Sequence, residues 1–87
     1  MPSLVIRHKV GDFKTWLKGH DDRVRLFAPA VSGFKEFQDQ DDPKSVLLVL
    51  EGKDMEKLNA IMSDPEVQKA KDRHTVKDPL VLSMRVG

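Results

Sequence analysis

The sequence of 87 residues predicts an α+β fold: a four-stranded antiparallel sheet with two helices on one face, in the order strand, helix, strand, strand, helix, strand. Three observations carry that reading. Ser3 to Val10 and Leu80 to Val86 alternate in the manner of half-buried strands. Two interior stretches repeat apolar residues at helical spacing. Between those stretches, Ser45 to Glu51 contains five consecutive apolar residues, which suit a strand covered on both faces.

In the first strand Leu4, Ile6, His8 and Val10 share one face and Val5, Arg7 and Lys9 the other. Gly11 ends it, and Asp12 is placed to accept from the first free amides of a helix starting at Phe13. Along that helix Phe13, Trp16, Leu17, His20, Val24 and Phe27 fall on one side, with Lys14, Lys18, Asp22 and Arg25 opposite. Pro29 limits it, because a proline disfavours helical geometry in the residue before it.

A second strand is expected from about Gly33 to Asp39, followed by a turn through Asp39, Gln40, Asp41, Asp42 and Pro43. After the third strand, Asp54 caps a helix from Met55 to Met62 that turns Leu58, Ile61 and Met62 inward. Ser63, Asp64, Pro65 and Glu66 restart the helix: an acceptor, a proline at the first helical position and an early acid. Val67, Ala70, Lys71 and His74 line one side of this piece, and Pro79 precedes the last strand, Leu80 to Val86.

This is the split βαβ arrangement of ferredoxin-like folds. Right-handed crossovers place both helices on one face. The other face then exposes Val5, Phe37 and Val81, with either Leu47 and Val49 or Val46, Leu48 and Leu50. An apolar patch of that kind marks a partner surface, and a symmetric homodimer packed sheet to sheet is the economical way to cover it.

Composition narrows function by exclusion. An apolar share of 39% and a charged share of 33% suit a soluble globular domain, and the length suits one domain, residues 1–87. Fifteen basic against fourteen acidic residues leave +1, which offers nothing to nucleic acid or to an anionic membrane. Without cysteine there is no disulfide, thiolate nucleophile or cysteine-held metal, a pattern that fits the cytoplasm. Arg7, His8 and Lys9 interrupt the amino-terminal apolar run too early for a signal peptide or a span. An RNA-binding sheet of this topology needs aromatics on its central strands, and Leu4 to Val10 and Val46 to Leu50 have none. The acidic turn fails as a calcium loop, with Lys44 and Leu50 where glycine and glutamate belong.

Three histidines remain. His8 and His20 both fall on faces expected to lie between helices and sheet, where imidazoles serve as proton carriers or as neutral, hydrogen-bonded core residues. His74 sits near a helix end, suited to capping or to the rim of a pocket. Nothing in the spacing requires the three to converge on a metal. Trp16 is able to stack a flat ligand or simply to fill the core, and Phe13, Phe27 and Phe34 divide the same way. Glu36 shares a strand face with Phe34 and Gln38; inward it is a candidate base, while exposure on an edge strand is the plainer expectation.

The run Ile6, Arg7, His8, Lys9, Val10, with Asp12, Phe13 and Trp16 behind it, resembles small proteins of the dimeric α+β barrel superfamily. Val31 to Phe37 resembles its glycine and aromatic second strand, and Asp41, Asp42, Pro43 and the helix start Asp64, Pro65, Glu66 with Val67 and Ala70 extend the likeness over nearly the whole chain. That superfamily includes antibiotic biosynthesis monooxygenases, heme-degrading monooxygenases, polyketide cyclases and stress-responsive barrel proteins. The resemblance implies a homodimer with a pocket between helices and sheet in each subunit, more firmly than any reaction; its cofactor-free oxygenases rely on the electron-rich ring of the substrate, and no cofactor is expected here. Heme-degrading members use an asparagine on the first strand, a tryptophan on a later strand and a helical histidine. Here His8 or Arg7, no later tryptophan, and Lys57 or Leu58 stand instead, which argues against heme degradation.

Two functional readings follow. In one, a small apolar or aromatic molecule binds in a cavity lined by His8, Trp16, His20 and Phe34, with Phe27 and His74 as further contacts; His8 or His20 moves a proton and Trp16 holds the substrate. In the other, the chain is a structural or interaction dimer whose core is filled.

Overall fold

In the computed structural model, which describes residues 2–87, the strands are β1 (Ser3–Val10), β2 (Val31–Gln38), β3 (Ser45–Gly52) and β4 (Val76–Met84). The helices are α1 (Phe13–Lys18), α2 (His20–Phe27), α3 (Met55–Ser63) and α4 (Pro65–Arg73). The sheet runs β2-β3-β1-β4 with every neighbouring pair antiparallel. The ferredoxin-like α+β arrangement expected from the sequence is the one observed.

Register fixes which side chains reach the helices. Leu4, Ile6 and His8 stand opposite Leu50, Leu48 and Val46. All six are buried, and with Trp16, Phe27, Ala30 and Leu58 they make the core. The other face carries Val5, Leu47 and Val49, half-buried, beside exposed Phe37 and Val81. Of the two sets left open for β3, Leu47 and Val49 therefore point away from the helices.

Helix starts follow the expected chemistry. Asp12 accepts from the Thr15 amide, Asp54 from Lys57, and Asp64 from Glu66 at the proline-led start of α4. The expected single helix from Phe13 is instead two, divided at Gly19. A glycine stands there because of a close approach: a Cβ at Gly19 would lie 2.6 Å from the His74 ring. Because α1 is short and turns Trp16 inward, Leu17, about 100° further round, is exposed rather than on the apolar face.

The last strand also differs from expectation. It begins at Val76 and passes through Pro79 instead of starting after it. Arg7 pairs with Val81 but Lys9 with Lys77, so His8 alone faces Asp78, Pro79 and Leu80 across a bulge. A proline is accommodated there because β4 is an edge strand and the ladder is already broken. The second strand likewise starts earlier than Gly33, at Val31.

Candidate functional site

A cleft lies between the helices and the sheet, above the middle of β1. Ile6, His8 and Leu48 form its floor, Leu26 and Phe27 of α2 one wall, and Val67 and Ala70 of α4 the other. Met62, Val76 and Leu80 rim it. Its empty space is about 460 Å³ counting the part open to solvent, of which about 50 Å³ is room in which a water can sit. That holds a few waters. An aromatic guest must displace the rim, and the half-buried Met62, unbranched and flexible, is the residue best suited to move.

His8 is the polar group of the floor, 6% exposed. Its Nδ1–H donates to the Lys9 carbonyl at 2.9 Å, which leaves the Nε2 lone pair without a hydrogen bond among the described residues. Burial holds its pKa below the ordinary 6.5; the Lys9 bond opposes the shift, and the charge of Arg23 adds to it. The floor thus presents a neutral imidazole that is able to accept a proton.

Beside it runs a polar chain that ties α2 to β2 and to the end of α4. Arg23 is 5% exposed and lies over the Trp16 indole, 4.2 Å from its centroid. Its Nε and Nη2 donate to Glu36 at 2.5 and 3.0 Å, and its Nη1 donates to His74 Nδ1 at 3.1 Å. A guanidinium only donates, so His74 accepts at Nδ1 and carries its hydrogen on Nε2, which points to Asp22 Oδ2 at 3.2 Å. This fixes His74 as one neutral tautomer joining α4 to α2. Burial, then the Arg23 charge, pushes its pKa down, against the pull of Asp22. Burial pushes the Asp22 carboxyl up, but Arg25, His74 and Arg73 outweigh it and leave it below the usual range.

The structure separates the two histidines expected together. His8 faces the cleft, whereas His20 lies outside it, with a side chain 43% exposed and paired through Nδ1 with Glu36. Glu36, for which exposure was the plainer expectation, is turned inward because Arg23 lies over its strand. Phe27 and His74 line the cleft; Trp16 and Phe34 do not. Trp16 packs behind it, edge-on to His8 with centroids 6.2 Å apart, and its Nε1–H has no acceptor among the described residues. A buried donor left so costs about 1–3 kcal/mol. Phe34 stacks on Phe27 at 5.6 Å and touches His20 at 6.1 Å.

Sequence reasoning missed Arg23. Counted at about 100° per residue from Phe13, Arg23 falls close to Trp16 and four residues before Phe27, on the stripe that the structure buries, but its charge left it without a place there. Lys71, by contrast, was placed on the side of α4 that forms the cleft, and it lines it.

No protein-family model matches the sequence, and no curated protein matches it. Solved structures do. An antibiotic biosynthesis monooxygenase superposes over 100% of this chain and 98% of its own, with TM-score 0.76 and 13% identity. The chain has the fold of such monooxygenases. SnoaB from Streptomyces nogalater, a cofactor-independent oxygenase, aligns with 99% of this chain and 91% of its own at TM-score 0.76 and 12% identity. Identity this low carries the architecture and no residue's role. Among the described residues no helix is long and apolar enough to cross a membrane, and no group of three or more metal-binding side chains occurs.

Proposed function

We propose that this chain binds a small apolar or aromatic molecule in the cleft between its helices and sheet and transforms it in the manner of a cofactor-independent monooxygenase or a cyclase. One observation carries the reading: a buried, neutral His8 whose Nε2 is unpaired at the floor of an otherwise largely apolar cleft. Such a group takes a proton from an acidic O–H or C–H of the ligand, and the anion formed is stabilised by Arg23 and Lys71 nearby. An electron-rich ring so deprotonated supplies its own electrons to dioxygen. Trp16, behind His8, supports the ring instead of stacking the guest, and Phe27 and His74 contact it.

The apolar outer face, Val5, Leu47, Val49, Phe37 and Val81, supports a homodimer formed sheet to sheet. The cysteine-free composition supports a cytoplasmic location. The small free volume of the cleft favours a second reading, a dimer without a ligand.

The two are separated by screening electron-rich polycyclic phenols for thermal stabilisation and for oxygen uptake, with His8→Gln in parallel. A catalytic cleft gives compounds that raise the melting temperature of both proteins and are turned over only with His8 present. If no compound stabilises the protein, the cleft reading fails.

A further inference from the structure

The charge of the cleft lining is one-sided. Among the described residues it contains Arg23, Lys71, His8 and His74 and no carboxylate. Both imidazoles have assigned protons and are neutral: His8 gives its hydrogen to the Lys9 carbonyl and His74 its own to Asp22. The fixed charges are therefore the two cations, and their acidic partners stand outside the cavity. Glu36 lies on the far side of Arg23, and Asp78, with a side chain 77% exposed, meets Lys71 at 3.3 Å. A surface pair of that kind is weak and screened, so the ammonium remains available to a second partner. The side chain of Lys71 is itself only 20% exposed.

Arg23 adds a second observation. A guanidinium has five N–H donors. Two go to Glu36 and one to His74, which leaves two uncommitted in a residue 5% exposed and lining the cavity. Buried donors are rarely left without acceptors. Both cations are felt at His8, where each disfavours the imidazolium.

We infer that the natural occupant of the cleft is an apolar or aromatic molecule bearing a carboxylate, received by Lys71 Nζ and the two free N–H groups of Arg23. This rests on the cleft being a binding site and specifies the charge of what enters it. A hydroxyl or an activated C–H calls on the two cations only once His8 has taken its proton. A permanent anion answers the permanent cations, and it supplies acceptors for donors that otherwise have none. A cationic guest is repelled, and a neutral one offers weaker acceptors and leaves the two positive charges uncompensated.

Three probes of one size separate the possibilities: 2-naphthoate, 2-naphthamide and 2-naphthylmethylammonium. Binding is followed by titrating the indole N–H resonance of Trp16, the sole tryptophan, whose ring adjoins both His8 and Arg23. The expected result is naphthoate tighter than naphthamide by about tenfold or more, with the ammonium weakest. Lys71→Gln brings acid and amide close to parity without a change in melting temperature, and Lys71→Arg restores the preference. Equal affinity for acid and amide, a preference for the ammonium, or a preference unaltered in Lys71→Gln overturns the inference while leaving the cleft a binding site. Failure of all three probes overturns the inference and the cleft reading together.

Discussion

The ring of His74 rests on the bare Cα of Gly19 so closely that a Cβ there would meet its Cδ2 and Nε2 at 2.6 Å and Arg23 Nη1 at 2.8 Å. The missing side chain is what lets the end of α4 approach the start of α2. Gly19→Ala forces the buried ring and guanidinium apart at once. We expect a loss of about 1–3 kcal/mol, as for other overpacked cores, read from urea denaturation. An alanine variant as stable as the parent would show that the layer gives way without cost.

Protonation acts on the same junction. His8 and His74 are both held below the ordinary value of 6.5, chiefly by burial. The unfolded chain therefore takes up protons at these rings before the folded one does. Stability is complete above about pH 6.5 and falls as the pH drops from there through the folded values. The Asp22 carboxyl titrates lower still and leaves this window alone. Melting temperatures recorded from about pH 8 to about pH 5 are expected to be flat at first and then to decline, with a shallower decline in His8→Gln and in His74→Gln. A slope unchanged in both variants would exclude the histidines as its source.

The Arg23–Glu36 pair has both side chains almost fully enclosed, at 6% and 5% exposure. Removing one charge strands the other. Arg23→Met alone should cost about 3–5 kcal/mol, whereas Arg23→Met with Glu36→Leu should regain most of that, because two desolvated charges go together. A double-mutant cycle measures the coupling, and strictly additive losses would mean that the pair acts as two independent residues.

On the outer face Phe37 stands directly opposite Leu47, and Arg7 pairs with Leu47 from the other side. If a second copy covers this face, Leu47→Glu places a carboxylate at its centre and converts the dimer to monomers in sedimentation equilibrium, with the circular dichroism spectrum retained. A parent protein that sediments as a monomer at micromolar concentration would remove the dimer altogether.

Much of the fold was legible because its signals are local. The alternation of Leu4, Ile6, His8 and Val10, the caps Asp12, Asp54 and Asp64, and Pro65 each act within a few residues of themselves, and each is where the pattern put it. What the pattern could not give were events set by a distant partner. Position 19 must stay bare because of His74, Glu36 turns inward because of Arg23, and β4 passes through Pro79 because β1 supplies a bulge at His8. The cleft was half legible for the same reason. His8, Phe27 and His74 lie on regular elements whose faces can be counted, and so does Arg23, whereas the partner that makes a buried Arg23 tolerable and holds His20 at the edge is Glu36 on another element.

The strand order β2-β3-β1-β4 has a bearing on how the chain comes together. Of the three ladders, the hairpin from Val31 to Gly52 alone joins strands adjacent in sequence, across the short Asp39–Lys44 turn. Ser3–Val10 must wait for Ser45–Gly52 and then for Val76–Met84 before both its flanks are satisfied. Closing those loops ahead of their reward is slow. Pulse-labelled amide exchange during refolding should accordingly show the central hairpin protected first and Ser3–Val10 later, which leaves the apolar face of that strand open to unwanted partners in the interval.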